Sequence, residues 1–471
     1  MRHSLTLISM IVLFSFFMEA VDFHTDEKLL LFRDYRSIGI SGGPVYQNDD
    51  VLLNITLSAN MEFNYWGFAA SLPLNFLLHD KNDDTKTVGG VFPRDDWNSV
   101  RDFVSIIDYV HYGNPADSYY FYFGKLENYY MGNGTLMGAY FNTLRFRFPK
   151  RGTNIHFKNH LGGVEFVTGD MMPPDITGGR LHLKPWAFFD RDDYLNNFEL
   201  GFTFLSDLRA PVKLSVSDDN SLSLKRAADN VFGMDVNFKL LSTLYYKLKV
   251  YSDFNKIAFA GHGIHTGVDH ILNIPALINM KIRSRMEYRT GSSNYTPTYF
   301  NTFYDIQKQF YRKLQDGGLQ ASKYEFFSQI PDDKPWIHGY YVDFVLSFPE
   351  KAALGGSFAQ HEEFRGYRGG KRLISEVNIF TDIIFIPRFT LSFLFTKQNL
   401  EETRLFSFDN FTFMSAYAGF RFNRYSTFGL RLQTRWLHKT VSEQSTGVST
   451  DDLSFSPLPE YYIGGSMSMS F

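Results

Sequence analysis

Basic side chains recur at every second position in several stretches of this sequence. The clearest run holds Lys281, Arg283, Arg285 and Arg289, with Glu287 at the remaining position. Alternate residues of a β-strand project from the same face, so this run covers one strand face with charge. Guanidinium groups bind carboxylates and phosphates through paired hydrogen bonds, and a wall of such groups attracts anions. The full set of candidate anion-contacting residues is Arg145, Arg147, Lys281, Arg283, Arg285, Arg289, Arg388, Arg431 and Arg435.

The positions between the basic residues are apolar in the same stretches. Residues 197–206 carry apolar side chains at alternate positions, and 277–289, 388–397 and 426–437 repeat the pattern. A strand with one oily and one charged face is typical of the wall of a membrane β-barrel, where lipid lies on one side and water on the other. We therefore expect the basic residues to point into the lumen.

Overall composition fits that fold better than a helical membrane protein. The 471 residues are 44% hydrophobic and 17% aromatic, yet the mean hydropathy is −0.22. Lumen-facing polar residues offset lipid-facing ones in a barrel, and aromatic girdles at the two interfaces use tyrosine and phenylalanine. A formal charge of −3 gives no reason to expect a nucleic-acid partner.

The N-terminal region reads as an export signal. Arg2 and His3 precede an apolar run from Leu5 to Phe17, which predicts a signal peptide over residues 1–20. Residues 21–50 are poorly patterned, and they could form a periplasmic lead-in, a first strand or part of a plug. The absence of cysteine fits a protein that crosses an oxidising compartment before it folds.

The last eleven residues form an alternating pattern that stops on an aromatic side chain. Its apolar face contains Tyr461, Ile463, Met467, Met469 and Phe471. This end resembles that of bacterial outer-membrane β-barrel proteins, whose closing strand finishes in a C-terminal phenylalanine read by the barrel assembly machinery. The resemblance implies a location in the bacterial outer membrane, with lipid and that machinery as partners.

Turn spacing predicts one barrel over residues 51–471. Membrane barrels alternate short inner turns with longer outer loops, and walking back from the C-terminus places outer loops at 217–230, 398–408 and 438–457. The same walk places an outer loop at 291–298 and a short inner turn at 315–318, with strands between them. It predicts about 16–22 antiparallel strands, about 20 preferred, of which about fifteen follow residue 197.

Residues 95–110 break the strand pattern. Apolar side chains recur there at spacings of three and four, and Asp95 and Asp96 could cap the start of a helix. Because lipid-facing walls are built from strands, we expect this short helix to act as a plug or to lie at a rim.

These features favour a passive channel for small polar or anionic solutes through a basic lumen. One alternative is a non-conducting structural or surface-interaction barrel that acts through its outer loops, with the arginines paired to lumenal acids. Another is a hydrophobic-solute transporter with an N-terminal plug. An enzyme such as an outer-membrane hydrolase is the weakest alternative, because the sequence has no local signature of a catalytic nucleophile. The histidines between His262 and His270 differ in parity, so we predict no metal site and no cofactor.

Overall fold

A computed structural model gives the fold of the chain. The structure describes residues 36–47, 50–79, 87–88, 92–93, 99–144, 150–189, 194–216, 222–275, 280–309, 311–313, 320–348, 351–366, 369–386, 388–400, 405, 407–409, 411–423, 426–438 and 455–470. The predicted signal peptide 1–20, residues 21–35, Arg145, Arg147 and Phe471 lie outside these ranges. Within them, no helix has the length and apolar character needed to cross a membrane.

The structure is built almost entirely from strands. In chain order these are β1 Arg36–Gln47, β2 Asp50–Phe63, β3 Trp66–His79, β4 Thr87–Val88, β5 Phe92–Pro93, β6 Ile107–Tyr112, β7 Tyr119–Gly124, β8 Gly152–Asn159, β9 Gly162–Thr168, β10 Ile176–Leu183, β11 Phe198–Val216, β12 Leu222–Ser242, β13 Tyr246–Ile257, β14 His262–Ile274, β15 Met280–Gly291, β16 Arg312–Lys313, β17 Gln320–Ala321, β18 Ile337–Phe348, β19 Ala352–Phe364, β20 Lys371–Ile386, β21 Phe389–Gln398, β22 Thr412–Asn423, β23 Ser426–His438 and β24 Phe455–Ser470. The helical elements are the α-helices Val100–Ser105, Tyr304–Gln307 and Lys323–Ser328 and the 3₁₀ helices Pro185–Phe189 and Tyr194–Asn197.

Twenty of these strands form one sheet, and β4–β5 and β16–β17 form two separate ribbons. Each strand of the large sheet pairs antiparallel with the next one along the chain. The last strand also pairs with the first, from Ser37↔Ser470 to Tyr46↔Tyr461, so the succession of pairings returns to its beginning. The prediction of an all-β, up-and-down antiparallel barrel with about 20 strands is confirmed.

Strand β12 illustrates how the sequence pattern builds the wall. From 231 to 237 its side chains alternate strictly between buried and exposed. Phe232, Met234 and Val236 are 47%, 54% and 41% exposed, whereas Asp235 and Asn237 are buried. Exposed apolar side chains occur at alternate positions on neighbouring strands too, such as Phe202 and Phe204 on β11. The barrel is therefore apolar outside and polar inside, as the period-two pattern predicts.

The two ends of the barrel differ in their connections. At the end where β24 finishes, which we call the short-turn end, eight of nine connections between sheet strands have two to six residues. The opposite, long-loop end has ten connections. Five have two to seven residues, and the other five are the long connections 80–106, 125–151, 292–336, 399–411 and 439–454. The predicted outer loop at 217–230 was wrong, because β12 begins at Leu222. Residues 225–228 of β12 are exposed on both faces, and a strand with water on both sides loses the alternation that identifies it.

Two long-loop connections fold into the barrel. We call residues 125–144 the first inner segment and the described residues 292–309, 311–313 and 320–336 the second inner segment. Their apolar side chains join inward residues such as Leu205 and Val231 in one buried cluster, to which the first segment contributes Met137 and the second Phe300. The strands predicted on either side of 315–318 were wrong, since this region holds two short helices and a ribbon. Twelve sheet strands, rather than about fifteen, follow residue 197.

The helix predicted at 95–110 is present but short. It spans Val100–Ser105, and Ile107 already starts β6. Its start is capped by Ser99, whose backbone N–H donates to the Asp102 carboxylate at 2.8 Å, whereas Asp95 and Asp96 lie outside the described residues. Val100 and Phe103 are exposed, so this helix does not fill the lumen.

Candidate functional site

A small cavity lies between the inner segments and the barrel wall. The wall side comes from β15 and from β18 to β21, and the facing side comes from both inner segments. Its volume of about 60 Å³ is enough for a few water molecules. The cavity is therefore a small space inside the barrel, bordered by side chains that reach it from distant parts of the chain.

The charged groups on this lining are mostly cationic. Arg285 and Arg289 reach it from β15, and Arg312 and Lys323 reach it from the second inner segment. Among the described lining residues, Glu376 is the one carboxylate, and it accepts a hydrogen bond from the Gln398 amide. Such an imbalance favours an anion over a cation in a confined space.

The two arginines of β15 that line the cavity are held by contacts on both sides. Arg285 donates from Nη1 to the Asn133 backbone oxygen at 2.6 Å, and its Nε lies 3.6 Å from Asp343. Arg289 lies beside Glu287, with its guanidinium carbon 4.7 Å from the ring centre of Tyr341. These contacts fix the guanidinium planes while leaving both residues on the cavity lining.

Arg312 is placed by a carboxylate that it shares. Its Nε lies 3.1 Å from Glu363, which also pairs with Arg372 on β20. Arg312 also donates from Nη2 to the Asn399 side chain at 2.7 Å. Two cations therefore share one buried acid, and this part of the wall stays locally positive.

Lys323 lies at the start of the helix Lys323–Ser328, and it is 1% exposed. Its ammonium donates to the Tyr299 backbone oxygen at 2.7 Å and lies 4.6 to 5.8 Å from three tyrosine ring centres, those of Tyr299, Tyr304 and Tyr311. Within the described part of the chain, no carboxylate oxygen forms an ion pair with it. Burial accordingly lowers the pKa of Lys323 from 10.5 to about 7.

A buried ionic network joins the second inner segment to the wall. Lys308 lies 2.8 Å from Asp207 on β11, 3.3 Å from Asp305 and 3.8 Å from Asp175. Lys150, two residues before the start of β8, pairs with Asp175 and Asp305. Burial acts to lower the pKa of Lys308, but the surrounding carboxylates more than offset this and raise it above its usual value. The network holds the segment that carries Arg312 and Lys323 in its place.

The residues proposed from sequence fall into three groups. Arg285 and Arg289 line the cavity. Arg283 is buried in the wall and engages both oxygens of Asp269 at 3.2 and 3.3 Å, Lys281 is half-buried near the short-turn end, and Arg388 is exposed in the β20–β21 turn. Outside the described residues or side chains are Arg145, Arg147, Arg431, Arg435, Tyr461, Ile463, Met467, Met469 and Phe471.

Arg312 and Lys323 were missed because their region was interpreted as strands. A signal was present in Ser322-Lys323-Tyr324-Glu325, since serine followed by glutamate three residues later is a helix-start pattern. Ser322 does cap this helix, accepting from the Glu325 backbone N–H at 3.0 Å. Nothing in the local sequence indicates that the helix lies inside the barrel, because that depends on packing against distant strands.

The histidine cluster has a structural explanation at His265. This residue is fully buried, and its two ring nitrogens lie 2.9 Å from Glu287 and 2.8 Å from the Tyr295 hydroxyl. In the ranges that the structure covers, no three histidine or acidic side chains are grouped to hold a metal. His265 thus links the second inner segment to the wall.

Comparisons with known proteins return structures rather than families. No family model and no curated protein matches the chain. Similar solved structures include Wzi of Escherichia coli, described as an outer-membrane protein involved in group 1 capsule assembly and a carbohydrate-binding β-barrel, at 10% identity and a TM-score of 0.37 over 94% of this chain and 86% of that one. OccD3 of Pseudomonas aeruginosa gives 10% identity and 0.33 over 93% and 91%, and OccAB2 of Acinetobacter baumannii gives 11% and 0.31 over 94% and 99%. TM-scores this low carry no inference about function.

Proposed function

We propose that this protein is an outer-membrane β-barrel through which small polar solutes move passively, with a preference for anions. The observation that carries the proposal is the cavity lining, where Arg285, Arg289 and Arg312 share the described surface with Glu376 alone among carboxylates. A positively charged lining raises the local concentration of anions and repels cations. Guanidinium groups also offer carboxylate or phosphate solutes paired hydrogen bonds.

The outward face of the barrel supports a position in a membrane. Large apolar side chains such as Phe202, Phe232, Met234 and Phe344 are exposed along it, and soluble proteins rarely expose continuous apolar surface on this scale. The signal peptide expected at 1–20 would export the chain, and the alternating apolar residues of β24, such as Ile463 and Met467, would be its signal to the barrel assembly machinery. Lipid would then cover the apolar band.

The charges inside the barrel have two different uses under this proposal. Arg283 is saturated by Asp269, and Arg180 is saturated by Asp235 and Glu199, so these pairs brace the wall. Selectivity would come instead from Arg285, Arg289 and Arg312, which border the cavity, and Lys323 would add a charge mainly below its pKa of about 7. This combines the two roles expected for the basic residues, bracing and anion attraction, but assigns them to different side chains.

A second candidate is a barrel that does not conduct. The packing of both inner segments inside the wall favours it, since buried side chains such as Tyr140, Tyr299 and Phe327 occupy the interior. Such a protein would act through its outer connections, around 398–408 and 438–457. A hydrophobic-solute path has less support, because the interior carries many buried charges.

Reversal potentials in planar lipid bilayers test the proposal. Under a potassium chloride gradient, the purified protein should conduct with chloride more permeant than potassium. Arg312→Gln should lower that preference, because Glu363 keeps Arg372 as a partner while the cavity loses one cation. Arg388→Gln, at an exposed turn, is the matched control and should leave the permeability ratio unchanged.

Potassium preference in the unmodified protein would refute the anion channel. Complete absence of conductance from folded protein would refute any channel and would support the non-conducting barrel. An equal effect of both substitutions would mean that overall charge, rather than the cavity, sets the selectivity.

A further inference from the structure

One connection at the short-turn end is much longer than the others. Residues 184–197 join β10 to β11 with fourteen residues, whereas the other eight connections at this end have two to six. Antiparallel neighbours need only a tight turn, so the extra length has no role in closing the strand pair. We call the described parts of this connection, 184–189 and 194–197, the aromatic strap.

The strap exposes large apolar side chains at high density. Its two 3₁₀ helices are Pro185–Phe189 and Tyr194–Asn197. Phe189 is 71% exposed and Phe188 57% exposed, although burial of a phenylalanine side chain is strongly favourable in water. The other exposed members are Trp186, Tyr194 and Leu195. In water this surface would be a costly patch without a structural reason.

Aromatic contacts place the strap against the outside of the barrel. The Trp186 ring lies 5.8 Å from that of Phe198, and the Tyr194 ring lies 5.1 Å from that of Phe238, edge to face. Phe198 shares the outward parity of Phe202, and Phe238 shares that of Phe232, so both partners belong to the outward face. The Tyr194 hydroxyl donates to the Leu240 backbone oxygen at 2.7 Å and ties the strap to β12.

The strap continues an apolar surface that is already present on the wall. Above it on the same two strands lie the outward side chains Phe204 and Phe232, which contact each other with ring centres 5.1 Å apart. Beside it, the β12–β13 turn exposes Leu244 and Tyr245. Tryptophan and tyrosine combine an apolar ring with a polar group, the composition that favours the boundary between acyl chains and headgroups.

We propose that the aromatic strap lies in the membrane interface at the short-turn end, with Phe188 and Phe189 among the acyl-chain segments nearest the headgroups. Its partner is the lipid surface, because the patch is continuous with the outward apolar wall. The strap increases the apolar area that the barrel presents to one leaflet, and it fixes the depth of the barrel in the membrane at that side. The inference rests on the membrane position in the proposed function and does not depend on conduction.

Fluorescence quenching by nitroxide lipids tests the inference. The chain has no cysteine, so single cysteines carry an environment-sensitive nitrobenzoxadiazole label at one chosen site. Phe189→Cys probes the strap, Phe204→Cys probes the outward wall, and His160→Cys probes an exposed two-residue turn at the same end. Phosphatidylcholine vesicles carry the nitroxide either near the headgroup or near the chain ends.

The label at 189 should lose most fluorescence with the nitroxide near the headgroup. The label at 204 should be quenched by the deeper nitroxide, and the label at 160 by neither. If 204 is quenched and 189 is not, the strap proposal is overturned while membrane insertion stands. If neither the label at 189 nor the label at 204 is quenched in folded protein, the strap proposal and the proposed membrane position are both overturned. The label at 189 could instead report an apolar environment that the nitroxides do not quench and that is lost when the protein is diluted. That result would indicate contact with a second copy of the chain and overturn the lipid assignment.

Discussion

Removing the Lys308 ammonium should release the second inner segment from the wall. Lys308→Met nearly keeps the side-chain volume but leaves Asp207, Asp305 and Asp175 with Lys150 as the remaining network cation. Breaking a buried pair by removing one partner costs about 3–5 kcal/mol, because a buried charge is left uncompensated. A loss of about 3 kcal/mol lowers the folding equilibrium constant by a factor of more than about a hundred.

Urea titrations in detergent micelles measure this loss as a change in the free energy of unfolding. Lys125→Met is the matched control, since Lys125 pairs with Asp108 at 2.6 Å but is 43% exposed. An exposed pair is worth less than about 1 kcal/mol. Adding Asp207→Asn to Lys308→Met should recover part of the loss, because it removes one of the uncompensated carboxylates. The reasoning is refuted if Lys308→Met and Lys125→Met destabilise equally, or if the two network substitutions are additive.

Three further outcomes follow from single contacts. Lys323→Met should stabilise the protein more at pH 6 than at pH 9. The pKa of Lys323 in the folded protein, about 7, lies below its usual 10.5, so unfolding takes up a proton and the stability of the unmodified protein rises with pH across this window. Urea titrations should not find this rise in the variant. Phe204→Arg should cost about 2–4 kcal/mol if this outward position lies near the bilayer midplane, measured in vesicles against Phe204→Leu, and a neutral result would contradict lipid contact. Gly263→Ala should lower the thermal unfolding temperature, because its Cβ would lie 2.3 Å from the Tyr295 ring, whereas Gly370→Ala, with open space around it, should not.

The wall of the barrel was predictable because its physics is local. Phe202 and Phe204 project outward and their neighbours project inward simply because side chains alternate along a strand. Arg283 and Arg285 likewise lie on the buried face of β15. Their different roles were not predictable, since Arg283 meets Asp269 on the preceding strand, β14, while Arg285 reaches Asn133, far away in the sequence.

The interior was less predictable because its contacts are distant in sequence. Apolar residues of the second inner segment, such as Phe300 and Phe327, pack into a core inside the barrel, and a run of that composition resembles a lipid-facing strand. The opposite error occurred at strand ends that are exposed on both faces: residues 225–228 belong to β12 but were interpreted as part of a loop. Strand periodicity therefore identifies the strand segments that have an apolar environment on one face and a polar environment on the other. It fails where both faces meet water or both meet protein.

A spin-label scan of β12 tests the central claim most directly. Single cysteines from 231 to 237 in vesicles, each carrying a nitroxide, report collision rates with oxygen, which concentrates in lipid. We expect high collision rates at Phe232, Met234 and Val236, and low rates at Val231, Gly233, Asp235 and Asn237. A flat profile, or one with the opposite parity, would contradict a barrel with its apolar face in lipid and its charged face in the lumen.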